Sequence, residues 1–286
     1  MTASSAMRKD VSSVDRLSPK NFRRLSEFIS DYSGIKMPPN KQTMLEGRLR
    51  RRLRATGLPS LDAYCAYLFD QDGLGTEIIH LIDVVTTNKT DFFREAKHFD
   101  FLREVALPAI VDEGRTSLRL WSAACSVGAE PYSMAMVVDD FADSYGPLSY
   151  FILATDLSTD VLAAAQKGIY PESMLAPVPA TLRRKYVNLA RQPGSRSVRI
   201  APMLRSRIGF ARLNFMDSFY PVGEAMDVIF CRNVLIYFDK PTQSQVLARL
   251  CDCLRPGGFL IIGHSETVAG FNLPLRTVSN TVFRKL

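Results

Sequence analysis

The sequence predicts an α/β chain: a parallel sheet flanked by helices, preceded by a small all-helical unit and interrupted by a small antiparallel β-insert. Three observations carry this. Residues 18–86 show helical apolar spacing throughout. From about Leu118, short β-branched or apolar runs alternate with helical segments, as in strand–helix–strand units. Within 185–213 three strand-like runs break that alternation. A chain of 286 residues buries enough surface to need no disulfide or metal staple.

Residues 1–17 are polar and Ser-rich and read as a disordered lead-in. Ser18-Pro19 is a cap followed by a first-turn proline. Phe22, Leu25, Phe28, Ile29 and Tyr32 then recur at helical spacing until Gly34. A second helix starts near Asn40, carries Leu45, Leu49 and Leu53 inward, and stops at Gly57. Ser60 caps a third, with Leu61, Tyr64 and Leu68 inside. A fourth runs from about Thr76 through Ile78, Ile79, Leu81, Ile82 and Val85.

Beyond a linker and helix over 87–117, Leu118–Ser122 reads as a strand and Pro131–Asp143 as a helix. Tyr150–Thr155 is a strand ending in Asp156, followed by a helix over Thr159–Gln166. The runs Lys185–Ala190, Ser197–Ala201 and Arg207–Leu213 form the expected β-insert, with a turn at Gln192-Pro193-Gly194-Ser195. Asp227–Cys231 is a strand, and Pro241–Leu254 a helix closed by Pro256-Gly257-Gly258. Phe259–Gly263 is a strand. Thr277–Lys285 is a last strand reached without a helix, hence antiparallel to its neighbour. The division expected is a lead-in at 1–17, a helical domain at 18–86, a connecting segment at 87–117, and an α/β domain at 118–286 with its insert at about 185–213.

Composition excludes several classes. Hydrophobic residues make up 47% and charged residues 23%, so the chain is globular. No apolar run reaches membrane-span length, and the first residues lack the apolar core of a signal peptide, so a cytoplasmic protein is expected. Five cysteines without a CxxC pair and three scattered histidines (His80, His98, His264) match no zinc spacing, so no metal is expected. The net charge of +7 points to an anionic partner.

Four segments could carry chemistry. Trp121–Ser133 (WSAACSVGAEPYS) follows a strand. Its small residues and Gly128 let a ligand approach the backbone, and Pro131 opens a helix. Asp156, at the next strand end, can accept both hydroxyls of a ribose; the other reading is a helix cap. Asp227–Asp239 (DVIFCRNVLIYFD) places Arg232, Asn233 and Tyr237 on the same rim. Thr86–Glu95 (TTNKTDFFRE) gathers polar groups and Phe92-Phe93 around Arg94, the phenylalanines being either part of a site or core anchors.

Together these residues resemble the chemotaxis receptor methyltransferases of the CheR type. The resemblance extends from about Leu17 to Leu286, and also rests on Asn214 and on PGGFLIIGHSE at Pro256–Glu266. It implies a Rossmann-like S-adenosylmethionine-dependent methyltransferase sheet with a terminal antiparallel strand, a helical amino-terminal domain and a three-stranded β-subdomain. It implies methyl transfer from S-adenosylmethionine to receptor glutamates, with S-adenosylhomocysteine as product.

Carried over by position, Asn88, Thr90 and Arg94 lie over the cofactor. Glu130 meets its methionine amino group, Asp156 holds the ribose, and Asn214 and the backbone of Phe215 meet the adenine. Gly128, Arg232 and Asn233 line the site, and Arg94 and Tyr237 lie near the transferring methyl as the catalytic pair. Where the family commonly reads Ser-Thr-Gly-Glu-Glu-Pro-Tyr-Ser, this chain reads Ser126-Val127-Gly128-Ala129-Glu130-Pro131-Tyr132-Ser133, which keeps the second glutamate.

The helix GRLRRRLRATG at Gly47–Gly57 carries five arginines spread over its outer surface, either a solvated face or a polyanion site. Arg48, Arg51 and Arg52 are the candidates to meet an acidic chemoreceptor cytoplasmic domain. A monomer is expected. Two rivals remain. One is a catalytically weak, CheR-like module that binds S-adenosylmethionine or docks on a receptor. The other is a nucleic-acid methyltransferase, disfavoured because the Asp/Asn-Pro-Pro-Tyr/Phe motif and aromatics beside the arginines are lacking.

Overall fold

The computed structural model describes residues 15–146, 148–189 and 196–286. The lead-in, except for its last residues, and the turn at 192–195 fall outside the described residues. The chain clusters into two compact units. The first holds residues up to Ile29 and Met37–Val85; the second holds Ser30–Lys36 and Thr86–Leu286.

The first unit is helical. α1 spans Pro19–Ser33, α2 Gln42–Thr56, α3 Leu61–Asp70 and α4 Leu74–Val85. The start of α3 and the end of α2 follow local chemistry. The Ser60 hydroxyl accepts from the Ala63 amide at 3.0 Å. Gly57 takes φ +72°, a left-handed conformation that costs a side-chain-bearing residue about 1 kcal/mol or more. Leu25, Ile29, Leu45, Leu49, Leu61, Tyr64, Leu68, Leu81, Ile82 and Val85 are buried.

One part of the arginine-helix reading is corrected here. Arg52 does not face solvent: it grips the Glu77 carboxylate with two bonds, Nε at 3.0 Å and a terminal nitrogen at 2.7 Å. The Tyr64 hydroxyl donates to the same carboxylate at 2.9 Å. Arg48 donates to the Val85 carbonyl. The i, i+4 pattern put both on the polar face, but acceptors from α4 reach them there. Arg50, Arg51 and Arg54 are exposed.

In the second unit a helical stretch comes first: α5 (Lys97–Phe101), a π-helical turn (Leu102–Ala106) and α6 (Leu107–Asp112). The wider turn lies just before Pro108, which has no amide to donate backwards. Next come β1 (Ser117–Ala123), α7 (Ala129–Tyr145), β2 (Ser149–Asp156), α8 (Thr159–Lys167), β3 (Ile169–Pro171), α9 (Ala180–Tyr186), β4 (Val187–Leu189) and β5 (Ser197–Ile200). The chain ends with α10 (Pro202–Arg205), β6 (Ile208–Arg212), β7 (Met226–Cys231), α11 (Lys240–Cys253), β8 (Leu254–Ile262), β9 (Leu275–Ser279) and β10 (Val282–Lys285).

The main sheet has the order β6-β2-β1-β7-β8-β10-β9. Its first five strands are parallel, and β10 and β9 run antiparallel to their neighbours. Alternate residues feed two cores. Leu118, Leu120, Ile152, Val228, Phe230, Phe259 and Ile261 join one with Tyr132, Met134 and Val138 of α7. Trp121, Ala123, Ile229, Cys231, Leu260 and Ile262 join the other with Val246, Leu247 and Leu250 of α11.

The α/β expectation with a terminal antiparallel strand holds, with two corrections. The last strand is a hairpin, β9 and β10, turning at Asn280-Thr281, where Thr281 has φ +60°. The insert is composed differently: the three-stranded sheet is β3-β5-β4. Arg207–Leu213 is instead the parallel edge strand of the main sheet, pairing Ile208 with Ile152 and Arg212 with Asp156. Lys185 belongs to α9.

Candidate active site

The strand order reverses between β1 and β7, so the crevice for a ligand opens at the carboxyl ends of these strands. Three strand ends converge there: β1 leading into the Ala124–Gly128 loop, β2 ending at Asp156, and β7 leading into Arg232-Asn233. The segment 88–95 joins them. The Ser126 hydroxyl donates to the Asn88 carbonyl at 2.9 Å, and the Phe93 amide donates to the Ser133 hydroxyl at 3.0 Å.

The backbone is strained at this rim. Seven described non-glycine residues have positive φ, and five are here: Phe93, Glu95, Ala124, Ser126 and Asn233, between +50° and +68°. Each such residue costs about 1–3 kcal/mol and persists only where its surroundings hold it. Gly128 has φ +90°, and a Cβ there would stand 2.9 Å from Ala165 Cβ and 3.0 Å from the Tyr170 hydroxyl. The glycine is therefore needed for packing as well as for backbone access. Tyr170, on β3, donates to the Val127 carbonyl at 2.6 Å and meets Phe92 edge to face at 5.0 Å. Phe92 is fully buried, so the core-anchor reading holds for it.

Arg232 is the hub. Its side chain is 1% exposed. One terminal nitrogen meets Glu130 Oε2 at 3.0 Å, and the other meets Glu95 Oε2 at 3.0 Å and the Arg94 carbonyl. The guanidinium lies 5.5 Å from the Phe99 ring centre and 5.6 Å from that of Phe230. Glu130, in the first turn of α7, also accepts the Ser122 hydroxyl at 2.7 Å. Burial pushes its carboxyl above the ordinary range, against the pull of Arg232 and Ser122. Glu95 goes the other way. Burial would raise it, but a 3.0 Å bond from Asn233 Nδ2 and the Arg232 charge hold it at about 2.

Asp156 accepts the Ser126 amide at 2.8 Å and the Ser158 amide at 3.0 Å, which fixes its orientation. The second of these is a turn bond to Ser158, the residue that stands at the cap of α8, so Asp156 itself does not cap that helix. The Leu213 amide donates to the Asp156 carbonyl, which brings Asn214 and Phe215 to the same rim. Asn214 gives its Nδ2 to the Tyr32 carbonyl at 2.7 Å and accepts the Met216 amide. The Phe215 carbonyl accepts from Tyr220 and Arg249, and its ring lies in the second core. The Arg94 guanidinium turns back to the Lys89 carbonyl at 3.1 Å. Thr90 is half-buried on the same segment, and Tyr237 is half-buried in the short 3₁₀ turn Leu235–Tyr237.

Two carboxylates went unassigned in the sequence. Glu95 follows Arg94 directly. Glu266 accepts the amides of Gly263 (2.6 Å), Leu235 (2.7 Å) and Asn233 (2.9 Å), tying the end of β8 to the loop after β7. Its place three residues after Gly263 in the quoted motif was the one local signal. The histidines are not all scattered: the His98 and His264 rings lie 4.8 Å apart, and ligand atoms of both lie within 4.8 Å of Glu95.

The donor set fits S-adenosylmethionine. Two oriented carboxylates, Glu130 and Asp156, stand on neighbouring elements, and an ammonium and a diol are groups that carboxylates of this kind can accept. The strained loop between them lies at a strand end.

Comparison with known proteins agrees. A model of the CheR methyltransferase all-alpha domain matches residues 20–86, and one of the CheR methyltransferase SAM binding domain matches 88–284. A "Chemotaxis protein methyltransferase" of Borreliella burgdorferi is 36% identical over 267 residues, covering 92% of this chain and 93% of that protein. Proteins with the same name from Salmonella typhimurium (38% over 266 residues, 92% and 90% covered) and Escherichia coli (37% over 272 residues, 93% and 91% covered) are similar to it as well. With both of its units matched in order, the chain belongs to the CheR methyltransferase family.

Proposed function

We propose that the chain is a protein-glutamate O-methyltransferase that uses S-adenosylmethionine to form methyl esters on chemoreceptors. The carrying observation is the pair of oriented carboxylates, Glu130 and Asp156, held on adjacent elements at the strand-order switch. When bound, the cofactor supplies an activated methyl on a sulfonium. A substrate glutamate is already ionised at neutral pH, so the reaction needs no general base. The protein's share is positioning and exclusion of water.

In this reading Glu130 accepts the cofactor's ammonium, Asp156 its ribose, and Asn214 and Phe215 border its adenine. Asn88, Thr90, Gly128 and Asn233 complete the lining. Arg232 is buried beneath the rim and acts through Glu130 and the Arg94 backbone. Arg94 orients the incoming carboxylate, releasing Lys89 to do so, and Tyr237 offers a neutral hydrogen bond. The departures at Val127 and Ala129 are compatible with activity: the Val127 carbonyl serves Tyr170, and Ala129 is fully buried in the core. This reading favours the enzyme over the weak module.

Among the described residues no helix is long and apolar enough to cross a membrane. We read the receptor's cytoplasmic domain as the partner and the cytoplasm as the compartment. The surface reading now rests on Arg51, with Arg50 and Arg54 beside it, rather than on Arg48 and Arg52.

The test is transfer of labelled methyl from S-adenosylmethionine to receptor cytoplasmic fragments. The expected result is alkali-labile label, lost when the receptor glutamates become alanine, with a rate that falls as salt screens the arginines. Alkali-stable label, or label in nucleic acid, would overturn the reading.

A further inference from the structure

Behind the rim, His98 is only 2% exposed, and its Nδ1 has no hydrogen-bond partner. Its other nitrogen, Nε2, lies 2.9 Å from the Thr281 hydroxyl oxygen. That hydroxyl spends its one proton on the Asn280 carbonyl at 2.6 Å, so toward His98 it can only accept. The proton on the imidazole is therefore on Nε2, and Nδ1 presents a lone pair. This lone pair stands 3.4 Å from Glu95 Oε2, another acceptor. Protonating Nδ1 would relieve the contact. The Arg232 guanidinium, already 3.0 Å from the same Glu95 oxygen, opposes a second positive charge there.

Two facing acceptors need a donor or a cation between them. A water bonded to both would hold them about 4.5 Å apart, well beyond what is seen. A tetrahedral zinc with bonds of about 2.0–2.1 Å spaces its nitrogen and oxygen ligands by about 3.3–3.4 Å, which matches the observed gap. His264 supplies a third ligand: its ligand atom lies within 4.8 Å of the other two, and its exposed ring can swing to close that distance. The Thr281 contact is the outer hydrogen bond that metal-bound histidines commonly make through their second nitrogen. Arg232 shares Glu95 Oε2 and weakens the site.

We propose that Glu95, His98 and His264 form a binding site for one borderline divalent transition metal ion, with Zn²⁺ as the probe. Nothing local marks the site in the sequence, because Glu95 and His264 stand 169 positions apart.

The experiment is equilibrium dialysis of the full chain against Zn²⁺, with Co²⁺ as an optical probe. The expected result is one equivalent bound and a visible Co²⁺ band without thiolate charge transfer. His264→Ala, a surface change checked by circular dichroism, should weaken binding at least about tenfold. Thr281→Val, which removes the outer hydrogen bond together with the hydroxyl's bond to the Asn280 carbonyl, should weaken it about 10–100-fold. Absence of stoichiometric uptake overturns the proposal, as does wild-type uptake by His264→Ala. A thiolate band that vanishes in Cys253→Ser would place the metal on the half-buried cysteine and overturn it equally.

Discussion

Replacing Glu95 by Gln keeps the shape of the side chain and removes its charge. One oxygen becomes an amide nitrogen, which must then face a donor, either Asn233 Nδ2 or an Arg232 nitrogen, both 3.0 Å away in the wild type. The magnitude follows from the carboxyl's displacement from 4.5 to about 2. At ~1.4 kcal/mol per unit, the upper bound is about 3 kcal/mol, and solvent access to a half-buried group reduces it to about 1–2 kcal/mol. A carboxyl with a depressed folded-state value stabilises fully above its unfolded value and loses that contribution as pH falls toward its folded value. The gap between wild type and Glu95→Gln should therefore be constant from pH 7 to about 5.5 and shrink below 4.5. By pH 3.5 it should have lost at least about two fifths of its size. Urea unfolding followed by fluorescence measures this directly, because the chain has one tryptophan, and Trp121 is fully buried in β1. Equal stabilities at pH 7, or a gap that stays flat down to pH 3.5, would refute the ion-pair reasoning.

In the first unit, Arg52→Ala should cost about 2–4 kcal/mol by stranding the Glu77 carboxylate, whereas Arg51→Ala should change stability by about 0.5 kcal/mol or less; urea unfolding followed by far-ultraviolet dichroism separates them. Asp156→Asn, which preserves shape and one acceptor for the loop amides, should weaken S-adenosylhomocysteine binding about tenfold to a hundredfold in a calorimetric titration. Arg94→Ala should lower turnover far more than cofactor affinity, since its guanidinium bonds to its own loop, at the Lys89 carbonyl; parallel rate and titration measurements test this.

What could be read from the sequence had local causes. The Ser60 cap, the Gly57 stop and the inward leucines of α2 are decided within a few residues. The strand ends at Asp156 and Arg232 follow from short apolar runs that stop at a charged residue. What could not be read depends on distant partners. Ile169–Pro171 is too short to show a period, so nothing local marked it as the third strand of the small sheet or freed Ile208–Arg212 for the large one. Arg52 looked like a surface charge because its carboxylate lies 25 residues away. Glu95 looked incidental because Arg232 and Asn233 reach it across 137 and 138 residues.

The Tyr170 hydroxyl has a thermodynamic consequence. Its residue belongs to the small sheet, yet its hydrogen bond ends on the Val127 carbonyl, one residue before Gly128 in the loop that begins α7. The two regions therefore share a fastener. A peptide that settles on the small sheet and displaces Tyr170 must change how firmly the loop holds a nucleoside ligand. Linkage then requires the converse, with the ligand altering the peptide's affinity by the same factor. Phenylalanine at 170 keeps the ring against Phe92 but removes the fastener, so it should bring that factor toward one while leaving the small sheet paired.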